Sequence, residues 1–139
     1  MNQSFRIAPR KVLTPLQMGA VDRATIEAGI PGIILMEAAA ARVVEYIVHH
    51  FSPVSEQRTL VVCGKGNNGG DGLAIARQLH VRFDPRHMWV VLAAEPEELS
   101  GDAAQNLAML RACGVQEYRD FGPEMRPATL IVEIGRAHV

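Results

Sequence analysis

The sequence predicts an α/β protein, in which an open, mostly parallel β-sheet has helices on both faces and two extra N-terminal helices before it. Three short apolar runs, 59–63, 88–94 and 129–132, have the length and composition of strands. Continuous apolar runs of this kind are typical of strands buried on both faces. Segments with a helical spacing of apolar residues alternate with these runs, as expected for a parallel sheet.

The first helix has a strong start signal. Thr14 can cap it, Pro15 takes the first helical position, and Gln17 completes a capping box with Thr14. Helical character continues to about Ala28, after which Gly29 supplies a left-handed C-terminal residue. We therefore predict a helix from 15 to about 28, and residues 1–13 form an N-terminal tail.

The other elements follow from the spacing of apolar residues and from turn residues. A second helix is predicted from Ile33 to His50, before Pro53. The later elements, in chain order, are a strand over 59–63, a helix over 73–79, a strand over 88–94, a helix from its cap Ser100 to Gly114, a polar connection over 119–128 and the start of a third strand over 129–132.

The composition is that of one ordinary soluble domain and excludes several classes of protein. The chain has 139 residues, 48% of them hydrophobic, and its 14 basic and 15 acidic residues give a formal charge of −1. This balance offers no basic surface for nucleic acid or anionic lipid, and no apolar stretch approaches the roughly 20 residues that span a bilayer. Two cysteines, Cys63 and Cys113, are too few for a secreted disulfide scaffold. We therefore expect a cytoplasmic protein with no nucleic-acid or membrane partner.

The segment that carries the most chemistry lies between the first strand and the following helix. Five of the nine residues from 64 to 72 are glycine, and each costs about 0.5–1 kcal/mol of conformational entropy relative to alanine. Parallel sheets bind ligands at the carboxyl ends of their strands, where a helix N-terminus offers free N–H groups, so a phosphate would fit there. Asn67 and Asn68 add carboxamide groups, and Asp71 can cap the helix or bind a ligand hydroxyl. The alternative is a turn that is rich in glycine for steric reasons only.

Two other functions stay open. Gly64, Gly66 and Gly69 have the spacing of the dinucleotide-binding fingerprint, with Glu95 as the acidic residue that this fingerprint needs. An NAD-dependent oxidoreductase is therefore one alternative, and a noncatalytic nucleotide-binding module is the other.

Three further side chains have two interpretations each. Glu37 lies at an apolar helix start, where it either meets solvent or points into a cleft. Arg77 can reach a phosphate, but extension from a surface helix is favoured. Cys63 can lie beside a ligand, but the interpretation that it packs as a small buried hydrophobic residue is favoured.

The segment Gly66-Asn67-Asn68-Gly69-Gly70-Asp71-Gly72 resembles the signature of the NAD(P)H-hydrate epimerases, the family of the YjeF N-terminal domain. The resemblance covers about residues 15–132. Other segments that agree with the family in order and spacing are Asp22, residues 28–32, Leu35-Met36-Glu37, residues 76–79 and Ser100-Gly101-Asp102-Ala103 with Asn106. The resemblance implies a Rossmann-like, three-layer α/β/α domain over residues 14–132, which is incomplete in this chain.

The resemblance also implies a function. The family interconverts the R and S epimers of hydrated NADH and NADPH, which repairs damaged cofactor. By this analogy Asn67, Asn68, Gly69, Gly70 and Asp71 contact the substrate, and Asn68 also binds a potassium ion, a hard cation that prefers oxygen ligands. The residues present do not identify the catalytic acid or base. A homodimer and a fused or separate NAD(P)H-hydrate dehydratase are further expectations.

The chain departs from the family pattern at two places. Ala38 stands where the family usually has asparagine. After the strand at 130–132 the family has an aspartate, a Gly-Thr-Gly loop and an Asp-x-Pro-Ser-Gly segment that supply further ligands, and this chain has none of them. Residues 133–139 can be encoded by the start of a common short-read sequencing adapter after one native base, so we expect them to be a non-native tail.

Overall fold

A computed structural model describes residues 11–134 of the chain. The chain divides into two compact units, residues 1–32 and 33–139, and each is described by itself. Most of the N-terminal tail expected at 1–13, and most of the non-native tail expected at 133–139, lies outside the described residues. Within the described residues, no helix is both long enough and apolar enough to cross a membrane.

The first unit contains helix α1, Pro15–Glu27. The predicted capping box is present, because Gln17 N–H donates to Thr14 Oγ1 at 3.3 Å and Thr14 N–H donates to Gln17 Oε1 at 2.9 Å. Ala28 caps the C-terminus, and Gly29 follows with a φ of +103°. The predicted bounds and signals of this helix are therefore confirmed.

The second unit contains the sheet and the remaining helices. Its described helices and strands are α2 (Gly32–Phe51, of which Gly32 belongs to the first unit), β1 (Arg58–Cys63), α3 (Asn67–Phe83), β2 (His87–Leu92), α4 (Gly101–Ala112), β3 (Glu117–Tyr118) and β4 (Leu130–Ile134). Short 3-10 turns lie at Val54–Glu56, Pro96–Glu98 and Pro123–Met125.

The four described strands form one parallel sheet in the order β3-β2-β1-β4. The predicted central strand is β1, and its Val61 lies between Val90 of β2 and Val132 of β4. The predicted α/β class with a parallel sheet is therefore confirmed. The carboxyl ends of β1, β2 and β4 meet at one edge of the sheet, which is where the glycine-rich segment begins.

The two faces of the sheet are covered by different kinds of structure. One face packs against α3 and α4 in a buried cluster that includes Val61, Val90 and Leu107. On the other face, Trp89 packs against Met125 of the segment that joins β3 to β4. Because β3 and β4 lie at opposite edges, this segment must cross the sheet. In the described residues it covers part of the face on which a helix was predicted, and Ile131 on the same face is exposed.

The structure differs from the prediction at two places. β3 was not predicted, because two residues are too short to give an apolar run. The start of α3 is Asn67 rather than 73. β4 begins at Leu130 and continues beyond Val132 through Glu133 and Ile134, as expected for a segment that was predicted as the start of a strand. Ser100 does precede α4 as predicted, but its side chain makes no capping hydrogen bond.

Candidate functional site

The predicted glycine-rich loop is largely the first turns of α3. Only Gly64, Lys65 and Gly66 connect the end of β1 to the helix, and Asn67 is already helical. Asparagine and glycine have low helix propensity, so periodicity alone did not predict this start. The helix forms here because its glycines pack closely on the rest of the protein.

The N-terminus of α3 faces solvent at the carboxyl end of β1. Gly66 caps the helix with a φ of +83°, which favours glycine, and the first intrahelical bond runs from Gly70 N–H to Gly66 O at 3.1 Å. The N–H groups of residues 66–69 therefore have no hydrogen-bond acceptor within the helix. Asn67 and Asn68 are both exposed on this turn. Free N–H groups and the positive end of the helix dipole favour an anion such as phosphate.

Three glycines are explained by close packing on other parts of the protein. A Cβ atom on Gly69 would lie 1.7 Å from Gly64 O, and one on Gly70 would lie 2.7 Å from Met36 Sδ. A Cβ atom on Gly72 would lie 2.7 Å from Cys63 Sγ. The steric alternative therefore accounts for these three residues. The role of Gly69 is the one that the third glycine has in dinucleotide-binding folds, where it lets the helix approach the strand.

Asp71 does not have its predicted capping role. Gly66 is the N-cap of α3, and Asp71 lies inside the helix, five residues later and partly buried. A carboxylate at this place still lies on the first turns of the helix, beside the exposed Asn67 and Asn68. The structure therefore brings together all five residues predicted to contact a ligand, two of them as exposed carboxamides.

The alternative acidic residue, Glu95, lies beyond the end of β2. The main chains of the two strand ends are joined there, because Ala93 N–H donates to Cys63 O at 2.8 Å. Glu95 forms an ion pair with Arg119. It also lines an open cavity of about 640 Å³, together with Leu92, Ala93, Ala94, Glu98, Arg119 and Asp120. The carboxylate that the dinucleotide fingerprint would use for a ribose hydroxyl is therefore exposed and pairs with Arg119 at the surface.

Arg77 and Glu37 form an ion pair that sequence reasoning missed. Only 17% of the Arg77 side chain is exposed, so the prediction that it extends from a surface helix was wrong. Glu37 also accepts from Gln78 Nε2, at 2.9 Å to its carboxylate and 3.2 Å to its carbonyl oxygen. These bonds join α2 to α3. The signal in the sequence for this contact is that these polar side chains lie on helix faces whose other residues are apolar.

Cys63 is unsuited to acid/base or nucleophilic chemistry. It is fully buried at the end of β1, and this burial raises the pKa of its thiol to about 12. The prediction of a small buried hydrophobic residue is therefore confirmed. Within residues 11–134, no group of three or more His, Cys, Asp and Glu side chains lies together as a metal site.

Comparison with known proteins relates the chain to one family. The family model of the YjeF-related protein N-terminus matches residues 32–133. The bifunctional NAD(P)H-hydrate repair enzyme Nnr of Salinibacter ruber is 48% identical over 101 residues, which are 72% of this chain and 18% of that protein. The NAD(P)H-hydrate epimerase of Limosilactobacillus reuteri is 36% identical over 124 residues, which are 88% of this chain and 57% of that protein.

A solved structure has a similar fold. The crystal structure of the yeast protein ynu0 matches with a TM-score of 0.63 and 21% identity, over 89% of this chain and 47% of the yeast chain. The chain thus spans about half the length of this structure and of the L. reuteri epimerase, and about a fifth of the bifunctional relative.

Proposed function

The chain belongs to the family of the YjeF-related protein N-terminus, and we propose on this basis that it acts as an NAD(P)H-hydrate epimerase. The proposed reaction interconverts the R and S epimers of hydrated NADH and hydrated NADPH. One observation carries the proposal: Asn67 and Asn68 are exposed on the first turn of α3, in the segment that resembles the epimerase signature. They are polar groups at a helix N-terminus and at the carboxyl end of a parallel strand, where such sheets bind nucleotides.

The geometry supports a division of roles within the site. The N–H groups of residues 66–69 would hold the pyrophosphate of the substrate, since they are donors at the positive end of the helix. Asn67 and Asn68 would donate to and accept from the polar groups next to it. Gly69 and Gly70 would contribute only backbone, because close packing fills the space of a side chain at both positions. Asp71 would complete the contact with its carboxylate.

The chemistry requires an acid/base group beside the reacting carbon. The carbon that is inverted carries a hydroxyl and a ring nitrogen, so inversion proceeds through loss and return of the hydroxyl or through ring opening. Either route needs a proton to be delivered and removed. Cys63 is not this group, because its thiol is buried and its pKa is raised to about 12.

The proposal includes a potassium ion, which the described residues fit only in part. Asn68 is exposed and offers one carboxamide oxygen. Hard cations take several oxygen ligands, and residues 11–134 contain no cluster of three or more potential His, Cys, Asp and Glu ligands. Asn68 would therefore need oxygen atoms from the main chain, the substrate or other residues to hold the ion. No step of the reaction is assigned to it.

We further propose a partner enzyme, a cellular location and an oligomeric state for the protein. A dehydratase that acts on the same hydrates, either fused to this chain or separate, would use the epimer that this reaction supplies, and the relatives named Nnr are bifunctional. A reducing cytoplasm would suit Cys63 and Cys113, neither of which is in a disulfide. We also propose that the protein forms a homodimer.

The experiment follows the equilibration of the two epimers of hydrated NADPH by chromatography, with potassium and with sodium. It uses the 139-residue chain and the complete product of the gene that encodes it. We expect interconversion that is faster in potassium than in sodium. If neither protein interconverts the epimers and intact NADH binds tightly, the oxidoreductase would be favoured instead. If neither protein interconverts the epimers and intact NADH binds weakly, the noncatalytic module would be favoured.

A further inference from the structure

Asn106 is a buried polar residue at the point where three helices meet. It lies on α4 and is fully inaccessible to solvent. Its Nδ2 donates to Asp102 O at 3.2 Å, within its own helix, and lies 3.2 Å from Met36 Sδ on α2. One carboxamide therefore joins α4 to α2 in the interior of the protein.

Met36 connects this carboxamide to the candidate site. The position of a Cβ atom on Gly70 lies 2.7 Å from Met36 Sδ and 2.8 Å from Met36 Cε, so the thioether lies directly against the first turns of α3. The same position lies 3.0 Å from the Cα of Ala103, on α4 near Asn106. Met36 and Ala103 therefore form the wall against which the helix start packs, and Asn106 contacts Met36 from α4.

The other polar atom of Asn106 argues that packing alone does not account for this residue. Its Oδ1 is buried and has no hydrogen-bond partner in the described part of the protein. A buried polar atom without a partner costs stability, and an apolar side chain of similar size avoids this cost. Asn106 is therefore a poor choice for stability. It does provide a directional contact to Met36, whose long, flexible side chain can otherwise adopt several arrangements.

We propose that Asn106 is a positioning residue for the pyrophosphate-binding turn of α3. It fixes Met36, Met36 fixes Gly70, and Gly70 places the N–H groups of residues 66–69 where they hold the pyrophosphate. This inference rests on the proposed function for the identity of the substrate. The binding of a nucleotide diphosphate can nevertheless be measured without any epimerisation.

The test is the affinity of the full chain for ADP-ribose, which carries the pyrophosphate but no hydrated ring, measured by calorimetry beside the melting temperature. For Asn106→Leu we expect about tenfold weaker binding and an equal or higher melting temperature. Met36→Leu preserves volume and removes the sulfur, and it should weaken binding about fivefold. The double variant should bind no more weakly than Asn106→Leu, because both changes break one chain of contacts. Gln105→Leu, on the exposed neighbouring residue, is the matched control and should bind as the unchanged protein does.

Kinetics provide a second readout. Pyrophosphate is not the reacting part of the substrate, so Asn106→Leu should raise the KM for hydrated NADH about tenfold and change kcat less than threefold. A fall in kcat with an unchanged KM would contradict the proposal.

Two results would overturn the inference. One is binding of ADP-ribose by folded Asn106→Leu or by Met36→Leu within twofold of the unchanged protein, and the other is no binding of ADP-ribose by the unchanged protein. If Asn106→Leu has a markedly lower melting temperature or does not fold, the stability argument fails and Met36→Leu alone decides the positioning. An unchanged protein that binds ADP-ribose but does not epimerise would contradict only the proposed function.

Discussion

Replacement of Gly69 by alanine should strongly destabilise the protein, although alanine is the better helix former. A Cβ atom at this position lies 1.7 Å from Gly64 O and 2.7 Å from the Gly64 carbonyl carbon. Carbon and oxygen in contact normally lie about 3.3 Å apart or more. The start of α3 would therefore have to move away from the end of β1 by about 1.5 Å. Both contacting groups belong to the main chain, so no change of rotamer can relieve the overlap.

The size of the effect follows from two opposing contributions. Overpacking in an interior costs about 1–3 kcal/mol and sometimes more, and an overlap with backbone belongs at the upper end. Alanine in place of a helical glycine returns about 1 kcal/mol. The net loss should be at least about 2 kcal/mol, which lowers the Tm of a protein of this size by roughly 8 °C.

The assay is thermal and urea denaturation followed by circular dichroism. Gly19→Ala in α1 is the control, because a Cβ atom there meets Arg23 Nη1 at an ordinary 3.6 Å. The control should keep its Tm or gain slightly. A Tm of Gly69→Ala within about 1 °C of the unchanged protein would refute the reasoning, because the helix would then tolerate a side chain at this position.

Two further predictions concern titratable groups. Native protein treated with iodoacetamide at pH 8 should be alkylated at the half-buried Cys113 and not at Cys63, whose pKa is raised to about 12 by burial, and modification of both at equal rates by mass spectrometry would contradict this. A hydrogen bond from Arg111 lowers the pKa of Glu117, so their interaction stabilises the fold above the ordinary glutamate pKa and is lost as the pH falls through the lowered one. Glu117→Gln should therefore lose about 0.5–1 kcal/mol of unfolding free energy at pH 7 and almost nothing near pH 2, and an equal loss at both pH values would disprove the role of charge.

The parts of the fold that depend on local signals could be predicted from the sequence. The capping box at Thr14 and Gln17 uses residues three apart, and the apolar run of β1 is continuous, so both were placed correctly. β3 was missed because its residues, Glu117 and Tyr118, form a strand only through pairing with β2. That pairing is set by residues far away along the chain.

The candidate site was identified by its residue types, but its geometry was not. Asn67 and Asn68 were predicted in a loop and lie in a helix, because the packing of Gly69 and Gly70 on other elements outweighs their low helix propensity. The contact between Gly70 and Met36 joins residues that are distant in sequence, and the pattern around either residue gives no sign of it.

The measurement that tests the central claim most directly compares the epimerisation rate of Asn68→Ala with that of the unchanged protein on hydrated NADPH. Asn68 is exposed, so its replacement should leave the Tm unchanged. Gln105→Ala, which removes an exposed carboxamide from α4, is the matched control. We predict that Asn68→Ala slows epimer interconversion at least tenfold while Gln105→Ala retains most of the activity. Equal rates for Asn68→Ala and the unchanged protein would contradict the claim that this helix start binds the substrate.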